Sequence, residues 1–501
     1  MVSQTELVSE SQNEIKPGRT MKRVSGSAEA VMVFDLGTSS SKGAVYSRDG
    51  ARLALSSAAY PTHTPAPGFA EQDPRDYLEA TKQVARELTG YKIAAIGFST
   101  QTPTLVSCDS QGRALGNAIL WQDARAGAEA EWLLQNTTQA ARCEWFGMEL
   151  PVGAATTPAK LLWMRRNRPE VWAAVRWVVQ PKDYVAAALT GRFVTDRWCA
   201  KGIAHLYTRE VHPEWQRLLG KECSPCPPVE SIRAVAGTVT PGAAAEWGIP
   251  AGTPVSVGWS DALAAVLATG ALHHEGRAFV LAGTSEIVGM SRRGGNAAKG
   301  LFHVPADVLE VPELSLHYGP TQAGGSCLAW LARLLDKSAD QVLDLLDPCP
   351  SPILFRPYLQ GERTPYWDHT LTAGFEGLRI EHGAPDLVRA VLQGVALQER
   401  LVLEEAERGA ELGHVVVAGG AARDARWNQL RAHILQRRLL VMEDAEASLR
   451  GAALLAWSAV ERADPAAMAD AWFSAQAIQP SPAYAGQARE LMNRFRKVNR
   501  S

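Results

Sequence analysis

Short apolar runs that break off at glycine-rich turns recur along the chain, at Val31–Phe34, Pro254–Val257, Phe279–Leu281 and Val415–Val417. Runs of this length bounded by turn residues predict buried strands. Between them lie stretches with apolar residues at helical spacing, such as Arg75–Leu88 and Leu387–Glu407. Strands alternating with helices predict a layered α/β protein. The apolar stretch Ala262–Leu272 gives way to the polar His273-His274-Glu275-Gly276-Arg277, so a boundary between two domains is expected near residue 272, with domains over 29–272 and 273–490. Residues 1–28 are polar, mix Glu with Lys and lack an apolar core. They read as a disordered leader.

Two of the strands end alike. Val31–Phe34 runs into Asp35, then Gly37-Thr38-Ser39-Ser40-Ser41 and Lys42; Phe279–Leu281 runs into Gly283-Thr284-Ser285 without the acid. The N–H groups and hydroxyls of such turns can cradle phosphate, and a carboxylate beside one can reach a metal ion through water. Taken alone, the first turn is equally a tight hairpin with an Asp at its mouth. Its repetition suggests two related halves holding a nucleotide between them, which points to a phosphotransferase.

Gly258-Trp259-Ser260-Asp261 puts a carboxylate where a strand becomes a helix. Asp261 there could accept the proton of an attacking hydroxyl or could simply cap the helix. Ser260 could take the capping role and leave Asp261 free. Gly419-Gly420 with Asp424, and Gly324-Gly325 ahead of the amphipathic Leu328–Leu335, expose backbone that could lie against a nucleoside. Trp121-Gln122-Asp123-Ala124-Arg125 combines a ring, an amide, a carboxylate and a guanidinium. That set suits a polyhydroxylated ligand, and it equally describes a surface turn with an ion pair. Gly361–Asp368 reads as a polar, aromatic loop bracing the cleft.

Composition narrows the field. The 501 residues are 46% hydrophobic and 21% charged, with a net charge of −2, so no general affinity for nucleic acid or an anionic membrane is expected. No apolar run approaches membrane-spanning length, and a cytoplasmic location is expected. Seven cysteines without regular spacing do not suggest a disulfide framework. Cys223-Ser224-Pro225-Cys226 has ligand spacing but no partner pair, and reads as two reduced cysteines in a proline-rich loop.

In order along residues 30–475, these segments resemble the FGGY family of carbohydrate kinases, most closely its xylulokinase-like members. The segments are Asp35–Lys42, Glu71-Gln72-Asp73-Pro74, Ala118–Arg125, Pro181–Tyr184 with Leu189–Gly191, Gly258–Asp261, Gly283–Ser285, Gly361–Pro365, and Gly419–Ala421 followed by Glu446–Ser448 and Gly451–Leu454. The resemblance implies two actin-like, ribonuclease-H-like domains flanking a cleft, with sugar on the first and ATP mainly on the second. It makes Asp261 the general base and Asp35 the Mg²⁺-associated carboxylate. Thr38, Ser39, Lys42, Gly283 and Thr284 would attend the phosphates, and Gly324, Gly325, Gly420 and Asp424 the adenosine. Trp121, Asp123 and Arg125 would lie in or beside the sugar pocket.

Two departures bear on substrate. Xylulokinases carry Gln-Met-His-Gly in the loop after the strand Ala95–Phe98, whereas this chain has Gln101-Thr102-Pro103-Thr104. Gln122 stands where Asn is usual. The expected activity is therefore ATP- and Mg²⁺-dependent phosphorylation of a terminal hydroxyl on a small open-chain sugar, a ketopentose such as xylulose or a related ketose or polyol. The alternatives are a non-catalytic sugar or nucleotide sensor on the same scaffold, or an actin- or chaperone-type ATPase. The sugar, the carbon phosphorylated and assembly into a homodimer are left open.

Overall fold

Two seven-stranded sheets carry the chain, and they are variations on one pattern. In the computed structural model the described residues are 29–295, 300–311, 313–409 and 411–498; the leader expected over 1–28 lies outside them. The elements that position the site are, in chain order, β1 (Glu29–Leu36), β2 (Ser40–Ser47), β3 (Arg52–Ala59), α1 (Pro74–Glu87), β4 (Lys92–Thr100), α2 (Pro181–Thr190), β5 (Val235–Thr238), β6 (Pro254–Ser256), β7 (Trp259–Ser260) and α3 (Asp261–Ala268). From the second half come β8 (Ala278–Ala282), β9 (Glu286–Arg293), β10 (Phe302–Val304), β11 (Leu314–Pro320), α4 (Gly325–Leu334), α5 (Ala384–Glu407), β12 (Val415–Ala418), α6 (Ala425–Leu435), β13 (Leu439–Met442), α7 (Ala447–Glu461) and β14 (Ala475–Ile478).

The first sheet runs β5-β6-β4-β1-β2-β3, with β7 also pairing β4; the second runs β10-β11-β9-β8-β12-β13-β14. In each, an antiparallel meander (β1-β2-β3, β8-β9-β11) is extended on the far side of its first strand by a parallel one (β4, β12). The repeated order is that of two ribonuclease-H-like units, as the resemblance implied. It also explains the repeated turn, because Gly37-Thr38-Ser39 and Gly283-Thr284-Ser285 each close the first hairpin of a unit. Open α/β sheets form their crevices beyond the carboxyl ends of parallel strands; Asp35 lies at the carboxyl end of β1, and Asp261 and Gly419 follow the ends of β7 and β12.

The halves are held together by α7, which belongs to the second half but packs on α3, β1 and β4 of the first. Its apolar residues Ala452, Ala453, Leu454, Leu455 and Ala456 share one buried cluster with Val31 and Val33 of β1, Leu263–Ala268 of α3 and Phe279 of β8. The α3–α7 crossing is close enough that a Cβ on Gly451 would lie 1.9 Å from the Ala264 carbonyl oxygen, so only glycine fits there. A second cluster, around Trp145, Trp215 and Leu161, joins helical segments that precede and follow α2 in the chain. Among the described residues no helix is long and apolar enough to cross a membrane.

Candidate active site

Asp261 is the first residue of α3. Ser260 is the cap, its Oγ accepting the Leu263 N–H at 3.4 Å, which leaves the Asp261 carboxylate with one local bond, from the Ala262 N–H at 2.7 Å. The preceding Gly258 has φ +72°, and a Cβ there would meet the Phe98 carbonyl oxygen at 2.4 Å. The turn that aims Asp261 therefore requires glycine. Asp261 is half-buried. Loss of water pushes its pKa from 3.8 to about 7, the charge of Asp35 adds to the rise, and the Ala262 N–H and Lys201 oppose it. A carboxyl poised near neutrality is suited to accept a proton. Tyr318, on β11 of the second half, is held protonated by burial and by the Asp261 charge.

Asp35 is the penultimate residue of β1 and joins the two halves. Its Oδ1 accepts Ser99 Oγ at 2.7 Å and its Oδ2 accepts Ser448 Oγ, at the start of α7, at 2.8 Å. Burial raises its pKa, with the two serines and Lys42 opposing. Lys42 stands opposite Asp35 in the β1–β2 register, and its amine pairs with Glu446 at 2.9 Å. The Gly37-Thr38-Ser39 turn is fixed by Tyr60, which donates to the Gly37 carbonyl (2.6 Å), and by Gln72, which donates to the Thr38 carbonyl (2.6 Å). Thr38 Oγ1 accepts the Trp121 Nε1–H at 3.1 Å, while Ser39 is exposed.

The opposite wall is built on β8 and β9. The N–H groups of Gly325 and Ser326 donate to the carbonyls of Gly283 and Thr284, both at 2.9 Å, so the second Gly-Thr-Ser turn and the start of α4 form one backbone surface with Thr284 exposed. Behind it Arg431 bridges Glu286 (3.0 Å) and Glu399 (2.8 Å) in the core. Glu362 accepts the N–H groups of Gln322 (2.6 Å) and Arg363 (2.7 Å), and burial pushes its pKa up to about 7. Arg363 in turn donates to the Thr321 carbonyl at 2.6 Å, so the loop at Gly361–Asp368 does brace this wall. Gly420 is exposed, with open space where a Cβ would stand, leaving room for a flat ring. Asp424 is occupied as the cap of α6, accepting the Trp427 N–H at 2.9 Å, and pairs with Arg426 at 2.8 Å.

On the first half, Thr102 and Pro103 are half-buried, but Gln101 is 1% exposed and turned inward, its Nε2 donating to Gln72 Oε1 at 3.1 Å. In the Trp121 segment Gln122 and Ala124 are exposed, but the Asp123 and Arg125 side chains are likewise turned inward. Asp123 is fully buried, accepts the Ala70 N–H at 2.6 Å and pairs with Arg125 at 2.7 Å. Arg125 also pairs with Glu71 at 2.7 Å and lies 3.9 Å from the Phe69 ring centroid. The ion pair read from spacing is present, in the interior rather than at the surface. Behind it the buried Lys160 donates to the Leu120 carbonyl at 2.5 Å, burial pulling its pKa down to about 7. Sequence reasoning gave no role to Ser99, Lys160 or Lys201, since no local pattern announces them.

Residues 30–268 match the model for the N-terminal domain, and residues 278–460 the model for the C-terminal domain, of the FGGY family of carbohydrate kinases. The xylulose kinase of Bacillus subtilis is 29% identical over 449 residues, covering 85% of this chain and 87% of its own. Among solved structures, a ligand-bound xylulose kinase and a gluconate kinase, both from Lactobacillus acidophilus, each align with a TM-score of 0.84 at 24% identity. They cover 94% and 95% of this chain and 98% of their own. At that identity the likeness is one of fold.

Proposed function

The chain belongs to the FGGY family of carbohydrate kinases, and we propose that it transfers the γ-phosphoryl group of ATP to a terminal hydroxyl of a small open-chain sugar in the cytoplasm. A ketopentose such as xylulose, or a related ketose or polyol, is the acceptor. The observation that carries the proposal is Asp261, with a pKa near 7 and close enough to Asp35 to feel its charge, in a chain whose two sheets each close their first hairpin with a phosphate-type turn.

In this reading residues 29–272 hold the sugar and residues 273–490 hold ATP. Asp261 accepts the proton of the attacking hydroxyl. Thr38, Ser39, Gly283 and Thr284 present hydroxyls and backbone N–H groups to the phosphates, Lys42 adds positive charge beside them, and Gly324, Gly325, Gly420 and Asp424 border the nucleoside. Thr102, Pro103 and Trp121 face the sugar, while Gln101, Asp123 and Arg125 support that wall from behind. Asp35, fixed by two serine hydroxyls and with lone pairs to spare, fits a carboxylate that holds Mg²⁺ through its water shell. Mg²⁺, when bound with ATP, neutralises charge on the phosphates. Phosphoryl transfer asks little covalent help of a protein, so alignment and exclusion of water supply most of the rate. A coupled ADP-release assay across ketoses, aldoses and polyols tests the proposal: sugar-dependent ADP release supports it, and ADP release indifferent to every sugar refutes it.

A further inference from the structure

A second charged side chain stands on the sugar side near Asp261. Lys201 lies in the turn that follows Asp196, and two buried side chains fix where that turn sits. Gln180, at the start of α2, accepts the Thr104 N–H at 2.8 Å and donates to the Cys199 carbonyl at 3.2 Å, tying the turn to the Thr102-Pro103 loop. Lys182 pairs with Asp196 at 3.0 Å and donates to the Val257 carbonyl at 3.0 Å, tying it to the segment that leads into Asp261. The turn that carries Lys201 is thereby tied both to the sugar loop and to the segment leading into the base, and the Lys201 charge is felt at Asp261.

Its own bonding is incomplete. The Nζ lies 4.7 Å from the Trp198 ring centroid, and its hydrogen bond, to the Trp198 carbonyl, is 3.4 Å long. No carboxylate of the described residues lies within 4.0 Å of it, whereas Lys42 and Lys182 each have one within 3.0 Å. Lys201 is half-buried. Burial lowers its pKa while Cys199, Asp196 and Asp261 support the charge. An ammonium withdrawn from water with donors to spare is costly unless something completes its bonding.

We propose that Lys201 is a substrate-binding residue whose ammonium donates to an acceptor-only oxygen of the sugar, a ketose carbonyl or an aldonate carboxylate, so that the enzyme favours such acceptors over polyols. The inference rests on the kinase reading of the same site. An ammonium offers three donors and no acceptor. A carbonyl or carboxylate oxygen satisfies it outright, and a carboxylate does so with charge assistance; a hydroxyl brings a proton that must find its own partner. Asp261 has the opposite polarity, so the two side chains together read a molecule with a hydroxyl to give at one end and an electron-rich oxygen elsewhere.

The test compares wild type, Lys201→Met, which keeps the packing over Trp198, and Lys201→Arg, which keeps the charge, on D-xylulose, D-gluconate and xylitol. Expected is wild-type preference for xylulose or gluconate over xylitol. Lys201→Met should lower kcat/KM for the preferred acid or ketose about ten- to hundred-fold, the worth of a charged hydrogen bond. Xylitol turnover should fall by a clearly smaller factor, and Lys201→Arg should recover much of the loss. Wild-type preference for xylitol overturns the inference and leaves the kinase reading intact. So does an equal loss on all three, which would mean that Lys201 acts only through Asp261. No turnover of any acceptor would instead refute the kinase reading.

Discussion

Replacing Asp261 by Asn keeps the shape of the side chain and its place in the first turn of α3 while removing its capacity to take a proton. A general base is worth about 10²–10⁴-fold in rate, so kcat should fall by at least about a hundredfold with little change in sugar affinity. Stability should move the other way. The unfolded carboxyl titrates near 3.8 and the folded one near 7, so between these values the folded state holds the extra proton, and stability falls as pH rises through that window. At pH 8 the ionised carboxylate then costs the fold at most about 4 kcal/mol, at 1.36 kcal/mol per pH unit. Solvent at this half-exposed group reduces that to about 1–2 kcal/mol. The Asn variant should therefore melt higher than wild type at pH 8 and lose this advantage as pH falls through the window. For wild type, kcat/KM should rise with pH through about 7 as the base ionises. Steady-state kinetics and melting curves at pH 5 and 8 provide the check. Retention of more than about a tenth of the wild-type rate, or a kcat/KM independent of pH from 5 to 8, would refute the assignment of Asp261 as the base.

Asp35→Ala removes the acceptor of two serine hydroxyls and the proposed seat of the metal; activity should collapse and the Mg²⁺ dependence change, and unchanged Mg²⁺ titrations would exclude that role. Replacing Thr102-Pro103 by Met-His should raise kcat/KM for D-xylulose several-fold relative to the native sugar, as one regained hydrogen bond of about 1 kcal/mol allows; an equal change on all substrates would separate this loop from specificity. Gly451→Ala forces a methyl into the Ala264 carbonyl at the α3–α7 crossing and should destabilise the protein by about 1–3 kcal/mol or more; an unchanged denaturation midpoint would show that the crossing is looser than its geometry.

What the sequence announced is what local chemistry encodes. The strand-to-glycine turns at Gly37 and Gly283 were legible because a buried strand and a tight turn each leave a compositional mark, and their equivalence in two sheets explains the repetition. Ser260 and Asp261 divided the cap and the free carboxylate as their order allowed. Partnerships made across the chain were not legible. Asp35 meets Ser448, 413 residues away, and no spacing rule links them. The burial of Gln101, Asp123 and Arg125 was hidden for a related reason: a polar cluster reads as solvent-facing until tertiary packing supplies partners such as Gln72, Ala70, Glu71 and Phe69. Lys201 carries no motif and is marked only by the partners it lacks.

The most direct test of the central claim is ³¹P NMR of ATP and a turned-over sugar with the purified protein. Expected are ADP and a sugar phosphomonoester on the terminal carbon in equal amounts, with both lost in Asp261→Asn. Formation of ADP and inorganic phosphate at one rate with or without sugar would contradict it.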